Sequence, residues 1–509
     1  MSDTESRTTA APPGARTVQD YIDMTPMWPD GTPTGSAPMT KMQSLIWSLA
    51  AAGKFFEGLV VFMTGIALPL IARQFHITAG QDGIVSAATL AGILIGAVGL
   101  GGLSDAFGRK LMFVVEMVIF TVFLAIITVV TGFWPLVLCL FAIGVALGCD
   151  YPTAHMIISE STPSARRGQL VLGAFAFQAV GALVGTGVGY LVLQRDPALD
   201  AWHWMFATAL IPAIIVTVWR FFITESAPWL FARGHHQRAE AAAVRLLKRR
   251  PQYPKDIALV RAAAGRNVES EKANFAALFN VRNRRATILA SVPWFLQDLS
   301  TYGIGIFTPT ILAAAFGGPD HFRSTADIIT KDIIAAKGSA LITSMLLVGI
   351  TFAVLLADRL GRIKLQVFGF VGCAVGLLVA SCAAYAAGSL KIFLIFAGVM
   401  LFNFMTDLGP NAQTYLLAGE VFPTAIRGSG AGFAAAFAKI GAVLTAFLFP
   451  ILLKAIGQQT LLLILVGTSI LGAAVTWWYR IETNGVNLDT IGETLLPDER
   501  AVTAVPAPS

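Results

Sequence analysis

Charge is scarce in this chain. Asp, Glu, Lys and Arg make up only 13% of its 509 residues, against 55% hydrophobic residues and a mean hydropathy of +0.69. A soluble domain carries about 25% charged residues, so a soluble fold is excluded and a multi-pass membrane protein is expected. Cysteine is scarcer still. Cys139, Cys149, Cys373 and Cys382 all fall in apolar runs without CxxC spacing, which excludes a disulfide framework or cysteine metal site and leaves apolar packing. A basic-then-apolar leader is also missing. The first 42 residues, including TPMWPDGTPTGSAPMT, are rich in Pro, Gly and Thr and read as a disordered cytoplasmic tail. No P-loop, nucleophile-base set or metal-ligand cluster is present in the sequence, so no enzyme activity, cofactor or metal is expected.

What the chain has instead is apolar length. About 20 apolar residues cross a bilayer as a helix. Runs of that order fall near 46–73, 83–103, 111–131, 135–158, 169–193, 202–223, 287–315, 338–357, 365–387, 391–417, 429–454 and 459–479. The expected fold is therefore all-α, with twelve transmembrane helices in two six-helix bundles. These occupy 43–224 and 287–480, joined by a basic loop over 225–286 and flanked by tails at 1–42 and 481–509. Between Arg233 and Arg285 stand thirteen Lys/Arg against four acids. The positive-inside rule puts that loop and both termini in the cytoplasm, with the protein in the plasma membrane, or the inner membrane of a bacterium. Topology thus accounts for most of the +6 net charge, and no nucleic-acid partner is required.

The two halves read as repeats. GGLSDAFGRK follows the second run and ADRLGRIK the eighth; ESTPSARRG follows the fourth and EVFPTAIRG the tenth. Asp-x-x-Gly-Arg and Glu-x2-Pro-x3-Arg-Gly therefore recur in the same order. Gly permits a tight turn between helix ends, Asp accepts hydrogen bonds at a helix N-terminus, and Arg pairs with carboxylates across the bundles. These motifs lie at membrane edges. Asp105, Gly108, Arg109, Glu160, Arg167, Asp358, Gly361, Arg362, Glu420 and Arg427 are accordingly expected to latch conformations rather than to touch substrate.

With ITESAPWL at the end of the sixth run, the duplicated motifs resemble the major facilitator superfamily over nearly the whole membrane portion. The resemblance implies pseudo-symmetric bundles, a central cavity and alternating access. Within it, GCDYPTAHMIISE, Gln178 in FAFQAVG, WFLQDLSTY, GPN, EVFPT and Lys439 resemble the phosphate:proton symporters. Where that family has an aspartate in its first helix this chain has Glu57, preceded by Lys54. Where the family reads Asn-Phe-Gly-Pro-Asn the chain reads DLGPN, so Asp407 is a departure bearing on specificity.

Ionisable residues inside a span are costly and are functional candidates by default. Glu116 is expected to pair with the motif arginines. Lys54 and Glu57, three residues apart, can neutralise one another, and His155 reads equally as packing or relay. Asp298 stands apart, because Trp294 and Tyr302 at i−4 and i+4 share its helix face. Tyr151 and Gln178 add neutral donors. Lys439 has no acid on its own helix, so its partner comes from another helix or from a substrate anion. Expected substrate contacts are Tyr151, Gln178, Trp294, Asp298, Tyr302 and Lys439. Proton carriers are expected among Glu57, Asp150 and Asp298, the last donating to phosphate when protonated and repelling it when ionised. The leading expectation is proton-coupled phosphate transport; a sugar, polyol or organic-acid carrier is the alternative, and a nutrient sensor the third reading.

Overall fold

The computed structural model describes residues 16–25, 38–100, 103–163, 166–248, 257–259, 275–315, 325–423 and 426–483. Among them the chain is helical throughout, apart from turns and one isolated backbone bridge between Arg16 and Leu259. After the short α1 (Val18–Asp23), the first half holds α2 (Lys41–Gln74) and α3 (Ala79–Ile95), the latter prolonged by a π-turn at Gly96–Leu100. It continues with a short α4 (Leu103–Phe107), then α5 (Arg109–Ile127), α6 (Phe133–Ser161), α7 (Arg167–Arg195) and α8 (Ala201–Arg220). Two small helices, α9 (Ala227–Ala232) and α10 (His236–Leu246), follow. The second half runs through α11 (Arg284–Ala315), α12 (Thr325–Leu360), α13 (Arg362–Ser381), α14 (Gly388–Leu408), α15 (Pro410–Glu420) and α16 (Arg427–Trp478).

Ten of these segments are apolar and long enough to cross a membrane, α14 and α15 together forming one of them. The 32-residue α11 is also long enough to cross, though its polar stretch around Gln297 and Asp298 keeps it out of these ten. The 52-residue α16 reverses at Gly457, where φ is 79°, and so crosses twice. Among the described residues the outcome is twelve crossings, six in each half, one for each expected run. Alternation puts the starts of α2, α5, α7, α11, α13 and α16 on one face, which also carries α9 and α10 and is called here the loop face.

Small residues set the packing. A Cβ at Gly58 would strike the Gln178 carbonyl, and one at Gly181 would strike that of Phe55, so α2 and α7 touch backbone to backbone. Gly441 does the same for α16 against Phe295 of α11. Such approaches favour helix association where lipid offers no hydrophobic drive.

Two expectations need correction. The expected disordered tail is ordered at Val18–Asp23, where Thr17 and Asp20 form a capping box. Val18, Tyr21 and Ile22 are buried there, and the Tyr21 hydroxyl meets both N–H and C=O of Ala258 at 3.0 Å. An apolar stripe on a single helical turn is too short a pattern to stand out from a Pro/Gly-rich context. Cys382 is exposed rather than packed, because α13 ends at Ser381 and the chain leaves the bundle there. Most of the remaining expected tails, 1–15, 26–37 and 484–509, lie outside the described residues, as does 260–274 of the basic loop.

Candidate functional site

Four charged side chains meet where the two halves join. Lys439 donates to the Tyr302 hydroxyl at 2.8 Å and to Asp298 at 3.1 Å, and lies 3.8 Å from Glu57. Glu57 in turn accepts from Lys54 at 2.9 Å, from Tyr302 at 3.3 Å and from Gln178 at 3.2 Å. Gln178 also donates to the Tyr302 hydroxyl at 3.2 Å. Lys54, Glu57, Asp298, Tyr302 and Lys439 are all buried. Five of the expected residues (Glu57, Gln178, Asp298, Tyr302 and Lys439) thus form one network, and Lys54 joins it. Its positioning follows from the local sequence: Gly58 and Gly181 press α2 onto α7, bringing Glu57 to Gln178, and Gly441 presses α16 onto α11, bringing Lys439 to Asp298. Two cations and two anions cancel, which is the condition for burying charge at tolerable cost.

Asp407 is buried nearby at a broken helix. α14 stops at Leu408, Gly409 takes φ −116° and ψ −92°, and Pro410, which lacks the N–H a continuing helix would need, starts α15. Asn411 donates to the Asp407 carboxylate at 2.5 Å across this break. Asp407, Asn411, Gln178, Thr301 and Tyr302 line a cavity of about 20 Å³, roughly the room one water needs.

A larger cavity of about 330 Å³ lies on the loop-face side. Pro152, His155 and Met156 of α6 line it from the first half, and Trp294, Tyr415 and Ala435 from the second. Phe175 lines the small cavity and Tyr415 the large one; their rings stack 4.4 Å apart, and Trp294 meets Tyr415 edge-on at 6.1 Å. These aromatics form the wall between the two spaces. Trp294 is therefore at the edge of the charged network, and His155 in the cavity mouth. The opposite face is shut: Gly65 packs on the Ile306 carbonyl, Gly83 on that of Phe447, and Arg73 pairs with Asp332 at 3.8 Å.

Asp150 lies in a separate cluster. The fully buried Arg220 donates to Asp150 at 2.6 Å, to Glu116 at 3.0 Å, and to the carbonyls of Phe113 and Leu49 at 2.6 and 3.3 Å. Glu116 thus pairs with Arg220 and not, as expected, with a motif arginine. Arg220 ends a 20-residue apolar helix in VWRFF; an arginine this close to a span end reads as an interface anchor, which hid its inward course. The Tyr151 side chain lies outside the described residues.

The edge motifs build the same object twice. Arg109 pairs with Glu160 at 3.3 Å, and the Ser226 hydroxyl donates to the other oxygen of Glu160. In the second half Arg362 pairs with Glu420 at 3.5 Å, and the Thr483 hydroxyl donates to Glu420. Gly108 and Gly361 take φ 109° and 87°, which Gly alone adopts without strain. Against each sits a glutamate capping the following helix: Glu225 accepts from Lys110 N at 3.0 Å, and Glu482 from Arg362 N and Ile363 N at 3.0 and 3.2 Å. Glu225-Ser226 and Glu482-Thr483 were legible as a matched Glu-Ser/Thr pair closing each half, but were not singled out as partners. These pairings run within each half, whereas the motif arginines were expected to reach across. Arg167 instead donates to Gln19 of α1 at 2.9 Å, and the side chains of Asp105, Asp358 and Arg427 lie outside the described residues.

Comparison with known proteins agrees with this architecture. The sugar (and other) transporter family matches residues 46–495, and the chain belongs to that family: it is a membrane transporter, not an enzyme. It is 28% identical to a probable inorganic phosphate transporter 1-6 of Arabidopsis thaliana, over 88% of this chain and 93% of that one. It is also 28% identical to the niacin transporter NiaP of Acinetobacter baylyi, over 88% of this chain and 96% of that one. Its fold is similar to a partially occluded, inward-open structure of the xylose transporter XylE from E. coli, with TM-score 0.69, 20% identity, and 88% and 99% of the two chains covered. The fold is that of the major facilitator superfamily.

Proposed function

We propose that this transporter is a proton-coupled symporter of a small anion, with inorganic phosphate as the first candidate. The observation that carries this reading is Lys439, a buried cation shared between Asp298, Tyr302 and Glu57 at the junction of the halves. Within this network its charge is already spent on the two carboxylates. An entering anion must replace a carboxylate, and a proton on Asp298 does this without a net charge change: the acid lets Lys439 go, and the anion takes its place. Tyr302 and Gln178 then supply donors to the remaining oxygens. Loss of the proton restores the Asp298–Lys439 pair and pushes the anion toward the 330 Å³ cavity. With the basic loop face in the cytoplasm, that release is import across the plasma or inner membrane. Glu57 and Asp298 carry the proton, while Asp150, held by Arg220, supports the fold. The edge motifs brace the loop-face end of each half separately.

A second reading is favoured by Asp407, whose carboxylate lines the same small cavity as Gln178 and Tyr302. It adds a third acid beside the anion site and suits a solute with a hydroxyl or amine, such as a small organic acid, sugar or polyol. Reconstituted protein should accumulate phosphate only when the outside is more acidic. Accumulation of a sugar with no anion uptake would overturn the anion reading, gradient-independent phosphate uptake would overturn the coupling, and binding without uptake would make the protein a sensor.

A further inference from the structure

A separate cavity of about 560 Å³ opens on the loop face between the start of α5 and the α9–α10 pair, away from the transport path. We propose that it binds the headgroup of an anionic phospholipid. Lys110, Arg238 and Arg245 all line it, and among the described residues no ion pair joins any of the three to a carboxylate. Its one acid, Glu225, is occupied by the backbone N–H groups of Lys110 and Ser226 at 3.0 and 2.9 Å. Arg238 and Arg245 are seven residues apart, two turns of α10, and so share a helix face. Arg245 is fixed by donating to the Phe222 carbonyl at 2.6 Å. Three cations gathered in one cleft are relieved by an anion, and phosphate accepts several charge-assisted hydrogen bonds.

The surroundings identify the anion as a lipid. Phe107 lines the cleft and is 60% exposed, while Trp219, Phe221 and Phe222 at the adjoining end of α8 are 50%, 55% and 55% exposed. Aromatics of this kind mark the membrane–water interface, and basic pockets at that depth take anionic headgroups with the acyl chains lying along the apolar flank. Lys110 follows Arg109 of the first latch, so a bound lipid would brace the Arg109–Glu160–Ser226 arrangement.

Purified full-length protein in neutral detergent can be titrated with short-chain phosphatidylglycerol and followed by native mass spectrometry, with phosphatidylcholine and glycerol phosphate as comparison probes. Phosphatidylglycerol should be retained and phosphatidylcholine lost. Lys110→Ala with Arg238→Ala should weaken retention about 30-fold, from about 1 kcal/mol per surface cation, while Lys391→Ala on the opposite face should change nothing. Arg238→Glu alone, on an exposed position of α10, tests the same point without touching α5. Equal retention in these variants, or equal retention of phosphatidylcholine, would overturn the proposal. Competition by glycerol phosphate at the concentration of the lipid would overturn it in favour of a free-anion site.

Discussion

The first half closes its loop face with Arg109, Glu160, Ser226 and Glu225, and the second with Arg362, Glu420, Thr483 and Glu482, residue for residue. Within the membrane the correspondence stops. The first half buries Lys54, Glu57, Glu116, Asp150 and Arg220, and the second Asp298, Asp407 and Lys439. Duplicated edges beside unlike interiors indicate that the edges answer a demand common to both halves: turning tightly and capping the helix that follows. The interiors answer a demand the halves divide between them. One anchors a buried arginine, the other presents a lysine to the junction.

The largest expected effect tests the first interior. Arg220→Met leaves Glu116 and Asp150 buried without their cation, which costs on the order of 3 to 5 kcal/mol. Little folded protein should be recovered in a fluorescence-detected size-exclusion assay, and adding Glu116→Gln and Asp150→Asn should restore it. Failure of that restoration would remove the ion cluster as the reason for the loss. Lys439→Ala tests the second interior. It should fold, because Asp298 can take a proton, yet lose roughly a hundredfold or more in anion affinity. Recovery of both stability and transport only with Asp298→Asn would make the pair a mere strut.

Glu57→Gln should abolish uptake driven by a pH gradient while sparing exchange, with radiolabelled counterflow as the readout. Asp407→Asn should tighten phosphate binding by removing a carboxylate from the small cavity; weaker phosphate binding together with loss of an organic solute would favour the second reading. The smallest effects test the symmetry of the edges. Glu225→Gln and Glu482→Gln each remove a charge from a helix N-terminus, worth about 0.5 to 1 kcal/mol. Similar small decreases in thermal stability are expected, and a large loss in one with none in the other would show that the repeated latches are not equivalent.

Much of the candidate site was legible because the membrane makes charge conspicuous. Glu57, Asp298 and Lys439 stand out of apolar runs, and Tyr302 is found by counting four residues from Asp298 on the same helix. Arg220 was not legible, since an arginine at the end of a span looks the same whether it turns outward to the interface or inward to two acids. Its partners lie 70 and 104 residues away, beyond any local pattern. The partners of Glu160 and Glu420 lack any local periodicity and become legible only when the two halves are aligned, as the matched Glu225-Ser226 and Glu482-Thr483.

By itself the sequence determined that the chain crosses the membrane twelve times in two related halves, because apolar run length and charge bias act locally and repeat. It also determined which charges are costly enough to demand a partner. The tertiary structure alone decided who the partners are. Lys54 and Lys439 converge on Glu57, and Asp298 binds Lys439 across 141 residues, because glycine-lined contacts choose which helix faces meet. Pairing energy depends on distances that only those contacts fix.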